Sequence, residues 1–119
     1  TIDGVRFFGS PYSNTLPGWA FNTDNEENND VWDYMFEDTD VLITHGPPHG
    51  ENDYINDEWG HIGCKELKKK RDEVNDLKYH IYGHNHGSHG KAEGKPWSVN
   101  VSMLDDDYNF SDNPVKVTL

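Results

Sequence analysis

Two four-residue apolar runs decide what this chain can fold into. "VLIT" (Val41–Thr44) breaks off at "HGPPHG", residues 45–50, and "YHIY" (Tyr79–Tyr82) breaks off at "GHNHGSHG", residues 83–90. A run this short, β-branched or aromatic and bounded by Gly and Pro, has the pattern of a strand, and the first reads as a strand buried on both faces. Such strands belong to sheets with helices packed across them, so the expected class is α/β. Open α/β sheets bind ligands in the crevice beyond the carboxyl ends of their strands, and both histidine turns fall there.

The other elements follow from periodicity and punctuation. "GVRFFG" predicts a strand over residues 4–8, ended by the turn "GSPYS". Residues 14–30 are rich in Asn, Asp, Glu and Gly around the aromatic island "GWAFN" and read as a loop. Asp30 is a candidate N-cap for a short helix with Val31, Tyr34 and Met35 on one face. After a polar loop over residues 51–60, a helix is expected over residues 64–77. It would bury Leu67, Val74 and Leu77 and turn Lys68, Lys69 and Lys70 to water. "WSVNVSML" and "NPVKVTL" alternate with period two and predict two closing strands around the acidic turn "DDDYNFSDN".

Charge narrows the function. With 22 acidic against 10 basic residues the formal charge is −12, which tells against direct nucleic-acid binding through phosphate neutralisation. Any phosphate handled here calls for a cation. A chain of 119 residues that is 33% hydrophobic makes one domain at most, with little apolar surface for an independent core, so a partner is expected. The opening "TIDGVRFFGS" reads as the middle of a hairpin, which predicts an upstream segment. The single cysteine, Cys64, permits no internal disulfide and suits a reducing compartment. No apolar run approaches a membrane span and no signal-peptide pattern is present. The expectation is a soluble protein, cytoplasmic or virion-associated, with no membrane partner.

The histidines carry the chemistry. Flanking glycines let a backbone approach a bound group closely, and neutral imidazole is a common ligand for Zn, Fe, Mn or Ni. His45, His84 and His86 are therefore candidate metal ligands. An i, i+2 pair such as His84 and His86 points to one side and can reach two neighbouring ions. The other four of the seven histidines, His49, His61, His80 and His89, are assigned to the surface, to the support of a ligand or to the core.

"LITHGPP" followed at a distance by "YGHNHG" resembles the last two motifs of the calcineurin-like metallophosphoesterases. The likeness runs in order through "GVRFFGSPYS", "GWAFN", "DVLITHGPPHG", "HIGCKEL", "YHIYGHNHG", "VNVSMLD" and "NPVKVTL", the pattern of the metallophosphoesterase-domain-containing branch, and covers nearly the whole chain. The resemblance implies a two-layered β-sandwich flanked by helices, with a two-metal centre at the strand ends that hydrolyses phosphate esters. It implies His45 and His84 on one divalent ion and His86 on the other, the metal being Mn, Fe, Zn or Ni. Two ions about 3.5–4 Å apart would clamp phosphate oxygens and activate a bridging hydroxide.

The departures are as informative as the match. The family's earlier motifs, Asp-x-His, Gly-Asp and Gly-Asn-His-Asp, do not occur. In the family they precede the stretch similar to residues 1–11, so residues 1–119 correspond to the C-terminal half of the domain. Three neutral imidazoles offer no charge to balance two divalent ions. The chain is thus expected to be active only with a chain that supplies the N-terminal half, and no catalytic residue is assigned within it. The assembled site is expected to hydrolyse a phosphodiester or phosphomonoester, a nucleotide among the candidates, with diesters favoured. His49, Tyr12, Trp19 and Phe21 are candidate pocket residues, and Asp53 a candidate hydrogen-bonding support for a ligand. The alternative is an inactive remnant serving as a binding or structural module in a larger assembly. A third reading, an unrelated protein holding a single Zn, leaves the other matching segments unexplained.

Overall fold

The computed structural model describes residues 1–13, 18, 20–22, 30–92 and 94–119. Its strands are β1 (Phe7–Ser10), β2 (Val41–Thr44), β3 (Tyr79–Tyr82), β4 (Gly90–Ala92) and β5 (Trp97–Asn100). They form one sheet in the order β1-β2-β3-β5-β4, in which the first four are parallel neighbours and β4 is an antiparallel edge. One α-helix, α1 (Lys65–Asp72), and two 3-10 helices, Asp30–Tyr34 and His86–Ser88, complete the α/β architecture. A second sheet, as a sandwich requires, is not among the described residues.

Register explains the core. Phe8, Leu42, His80 and Ser98 lie side by side across the four parallel strands, and Phe7, Val41, Tyr79 and Trp97 form the row before. Successive rows point to opposite faces. The Leu42 face is covered: Leu42 packs with Leu67, Trp32, Met35, Cys64, Val74 and Leu77, with Phe8 and Val31 at the margin. Burying a side chain such as Leu42 contributes about 1.5–3 kcal/mol. The other face is partly open, with Ile43 and Trp97 each 44% exposed. The expectation that β2 is buried on both faces is therefore corrected at Ile43. The C-terminal coil reaches this face where the Tyr79 hydroxyl donates to the Thr118 carbonyl at 2.9 Å.

A polar clamp ties α1 to the sheet. The buried Arg71 guanidinium donates to both Glu51 carboxylate oxygens at 2.6 and 2.8 Å, to Ser98 Oγ at 2.9 Å and to Asp72 Oδ1 at 2.9 Å. At the helix start, Cys64 acts as the N-cap and its Sγ accepts from the Leu67 N–H at 3.3 Å.

Boundaries depart from the sequence reading for local reasons. The first strand begins at Phe7 rather than residue 4, because Asp3 and Gly4 turn with positive φ and the Arg6 N–H is taken by the Asp40 carboxylate at 2.9 Å. The short helix after Asp30 is 3-10. Residues i and i+3 eclipse in that geometry, so Trp32 and Met35 go inward and Tyr34 is left exposed. α1 stops at Asp72, ahead of the turn-forming "ND" of residues 75–76, yet Val74 and Leu77 are buried from the coil that follows. β5 ends at Asn100, and "NPVKVTL" forms no strand among the described residues. Alternation becomes a strand only where a partner edge is in reach. No helix among the described residues is long and apolar enough to cross a membrane.

Candidate functional site

Because β2 and β3 are adjacent and parallel, their carboxyl ends deliver the two histidine turns to one place. The pairing continues past the strands, where the Gly83 N–H donates to the His45 carbonyl at 3.0 Å. His45 Nε2 and His84 Nδ1 then lie 3.0 Å apart, with ring centres 4.8 Å apart and tilted by 60°. A side chain at position 83 would bring Cβ to 3.3 Å from Ser102 Oγ, so glycine suits the close approach. His84 itself adopts φ +70°, a region that non-glycine residues use at a cost of roughly 1 kcal/mol or more and that clusters at functional sites.

Hydrogen bonds from the surroundings tie this turn down. Buried Asn85 donates through Nδ2 to the carbonyls of Asn52 at 3.0 Å and Tyr54 at 3.1 Å, and its own carbonyl accepts from Asn100 Nδ2 at 2.8 Å. Beneath the first turn, Thr44 Oγ1 donates to the Gly46 carbonyl at 2.7 Å. That uses its only proton, so at 2.8 Å it accepts from His80 Nε2–H. His80 is fully buried with Nδ1 unpartnered, and burial first, then the nearby Arg71 charge, hold its pKa well below the ordinary imidazole value.

Tautomers follow from partners. His86 Nδ1 lies 2.8 Å from the Asp105 carbonyl, which only accepts, so the tautomer of the neutral His86 ring has its proton on Nδ1 and its lone pair on Nε2. His84 is biased toward the neutral ring: burial lowers its pKa most, and the charges of His45 and His86 lower it further. The neutral ring is the form that binds a metal.

The residues fit the imidazole share of a metal centre. Two imidazole nitrogens bound to one ion at about 2.0–2.1 Å each also lie roughly 3 Å apart, as do those of His45 and His84. They do not fit a complete two-ion centre. Among the described residues no three His, Cys, Asp or Glu side chains converge closely enough to hold a metal ion, so neither His86 nor a carboxylate closes the set.

A cleft of about 340 Å³ opens beside the histidines and is lined by His84, His86, Tyr54, Ile55, Trp59 and Ile62, among others. Of the proposed pocket residues, Tyr12, Phe21 and His49 are not among the described residues that line it. Tyr12 borders a separate narrow crevice with His84, Phe21 is exposed, and the ring of His49 faces His61 at 5.5 Å between centres. Trp19 lies outside the described residues. Asp53 does support an imidazole, but that of His61 at 2.7 Å and none of the three proposed ligands. The lining residues missed in the sequence left one signal: Tyr54, Ile55 and Trp59 are large apolar residues in an otherwise polar loop.

No family model matches the chain. Curated relatives do. Metallophosphoesterase domain-containing protein 1 of Homo sapiens is 32% identical over 121 residues, which is all of this chain and 37% of that protein. The mouse protein of the same name matches to the same extent. A UPF0046 protein of Caenorhabditis elegans is 37% identical over 118 residues, 97% of this chain and 39% of its own length. The chain thus spans well under half the length of these relatives. With the likeness running from end to end of its 119 residues, the chain belongs to the metallophosphoesterase domain-containing branch, of which it represents the C-terminal part.

Proposed function

We propose that these residues are the histidine-bearing half of a phosphoesterase that uses two divalent ions, Mn, Fe, Zn or Ni. The carboxylates come from outside the 119 residues, in the portion of the family domain that carries the missing motifs. His45 and His84 hold one ion and His86 the other. When bound, the ions supply Lewis-acid polarisation of phosphoryl oxygens and a water of lowered pKa. The chain's own residues hold neutral imidazoles in place and bind the organic part of the substrate. Tyr54, Ile55 and Trp59 give that cleft an apolar, aromatic wall, which favours a phosphodiester with a flat or apolar substituent, a nucleotide among them. The open face of the sheet around Ile43 and Trp97 takes the second layer of a sandwich.

The observation that carries this reading is the 3.0 Å approach of His45 and His84 ring nitrogens at the ends of β2 and β3. It is tested on the purified native protein by mass measurement, metal analysis and assay of phosphodiester cleavage with added Mn. The expected result is a larger assembly holding two metals per site, in which His84→Ala abolishes turnover and leaves assembly intact. A lone chain with at most one metal and no cleavage at high Mn overturns it. That outcome would favour the second reading, an inactive remnant kept as a binding or structural module.

A further inference from the structure

The loop between β2 and α1 carries two histidines that the strand-end site does not use. His49 and His61 sit on its two arms, which are closed by His49 N–H to the Cys64 carbonyl at 3.1 Å and Cys64 N–H to the Pro47 carbonyl at 3.0 Å. The arms press together so tightly that a Cβ on Gly63 would stand 2.4 Å from the Pro48 carbonyl oxygen. Across this closure the two imidazole rings are 5.5 Å apart and tilted by 41°.

Behind them lies Asp53, only 1% exposed. Its carboxylate accepts from the Gly50 and Gly63 N–H groups at 2.9 and 3.0 Å and meets His61 Nδ1 at 2.7 Å. Burial, the largest influence on this carboxyl, pushes its pKa up, but the bonds from His61, Gly50 and Gly63 outweigh burial and the net shift is downward. An ionised carboxylate only accepts, so the tautomer of the neutral His61 ring that this contact favours has its proton on Nδ1 and a lone pair on Nε2. A carboxylate behind an imidazole is the arrangement that orients metal-binding histidines and raises their basicity. Two imidazoles sharing an ion at about 2.0–2.1 Å bond length place their ring centres roughly 5 Å apart, close to the spacing seen here.

We propose that His49 and His61, oriented by Asp53, form a second site for one borderline divalent cation such as Zn, Ni, Co or Cu, completed by water. Two nitrogen donors without a carboxylate in contact with the ion select for such metals over Mg or Ca. The site is separate from the His45 and His84 pair and does not depend on the phosphoesterase reading.

The test titrates Ni and Zn by calorimetry into the chain carrying His45→Ala and His84→Ala, with histidine nitrogen signals followed by NMR. One equivalent is expected to bind, shifting the His49 and His61 signals. His49→Ala or His61→Gln in that background weakens binding at least about tenfold, and Asp53→Asn weakens it by roughly 10–100-fold. Should Asp53→Asn disturb the loop, the His49 and His61 variants decide the matter, since neither ring is fully buried. Absence of binding in the His45→Ala/His84→Ala chain, or binding unchanged by His49→Ala and His61→Gln, overturns the proposal.

Discussion

Single side chains set the chemistry of the strand ends, and two of them make measurable predictions. His80 is buried and neutral, with its Nε2–H spent on Thr44. Its folded pKa lies well below 6.5, so above that pH both folded and unfolded rings are neutral. Below it the unfolded ring binds a proton that the buried one refuses, and stability falls by about 1.4 kcal/mol per pH unit until the folded pKa is reached. Urea unfolding at pH 7.5 and 5.5 reads this directly. His80→Gln keeps a donor for Thr44 and loses the titration, so its stability is expected to fall less over that window. His84, whose pKa is also lowered, contributes the same sign in both proteins and cancels in the difference. The lowered carboxyls, Asp40, Glu51, Asp53 and Asp72, start from 3.8 or 4.5 and act below this window. Equal pH slopes in the two proteins would contradict the buried-neutral assignment. Trp59, 59% exposed at the cleft wall, touches only the organic part of a substrate in the proposed reading. Trp59→Ala is therefore expected to raise KM for a nucleotide diester about tenfold and leave kcat nearly unchanged, the signature of uniform binding. A loss confined to kcat would move Trp59 out of that role.

Elements depend on clamps as well as on apolar burial. α1 is short, and besides Leu67 the residue it buries is Arg71, bonded to Glu51 and Ser98. Arg71→Met removes the cation while leaving the Glu51 carboxylate in place. Breaking a buried pair from one side costs roughly 3–5 kcal/mol, and the partial exposure of Glu51 argues for the low end, about 3 kcal/mol. Chemical denaturation of Arg71→Met checks this, and restoring much of the loss with Glu51→Gln in the same chain would identify the stranded carboxylate as its cause. The strands that carry the histidine turns were legible in the sequence. β2 and β3 match their predicted bounds, because a β-branched or aromatic run closed by glycine leaves the backbone few options. That pattern led to the expectation that His45, His84 and His86 meet; the parallel pairing of β2 and β3 brings the first two together, and among the described residues no closed donor group includes His86. The end of α1 was not legible, since Val74 and Leu77 keep the helical spacing of buried residues while the chain between them has already turned. Nor was the role of Asp53, whose partner His61 is brought to it by loop closure, which no local pattern records.

At the scale of the molecule, the sheet is asymmetric. One face is filled by α1 and the 3-10 helix at Asp30–Tyr34, whereas the other leaves Ile43 and Trp97 nearly half exposed beside the buried Val41 and Val99. Apolar surface of this kind on a chain of −12 net charge favours association through burial rather than through charge. In the proposed reading the rest of the family domain packs here, so adding it as a separate chain stabilises the folded form by mass action, and the melting temperature rises with its concentration. Ile43→Lys separates this from a general effect on folding. At 44% exposure the lysine can reach water in the isolated chain, so its own stability is expected to change by less than about 1 kcal/mol. In the assembly the same ammonium would be buried without a partner, which costs several kcal/mol and is expected to weaken association at least a hundredfold. Thermal melts of the chain alone and in mixture, wild type against Ile43→Lys, give both quantities. A variant that assembles as well as the wild type would place the proposed contact elsewhere than this face.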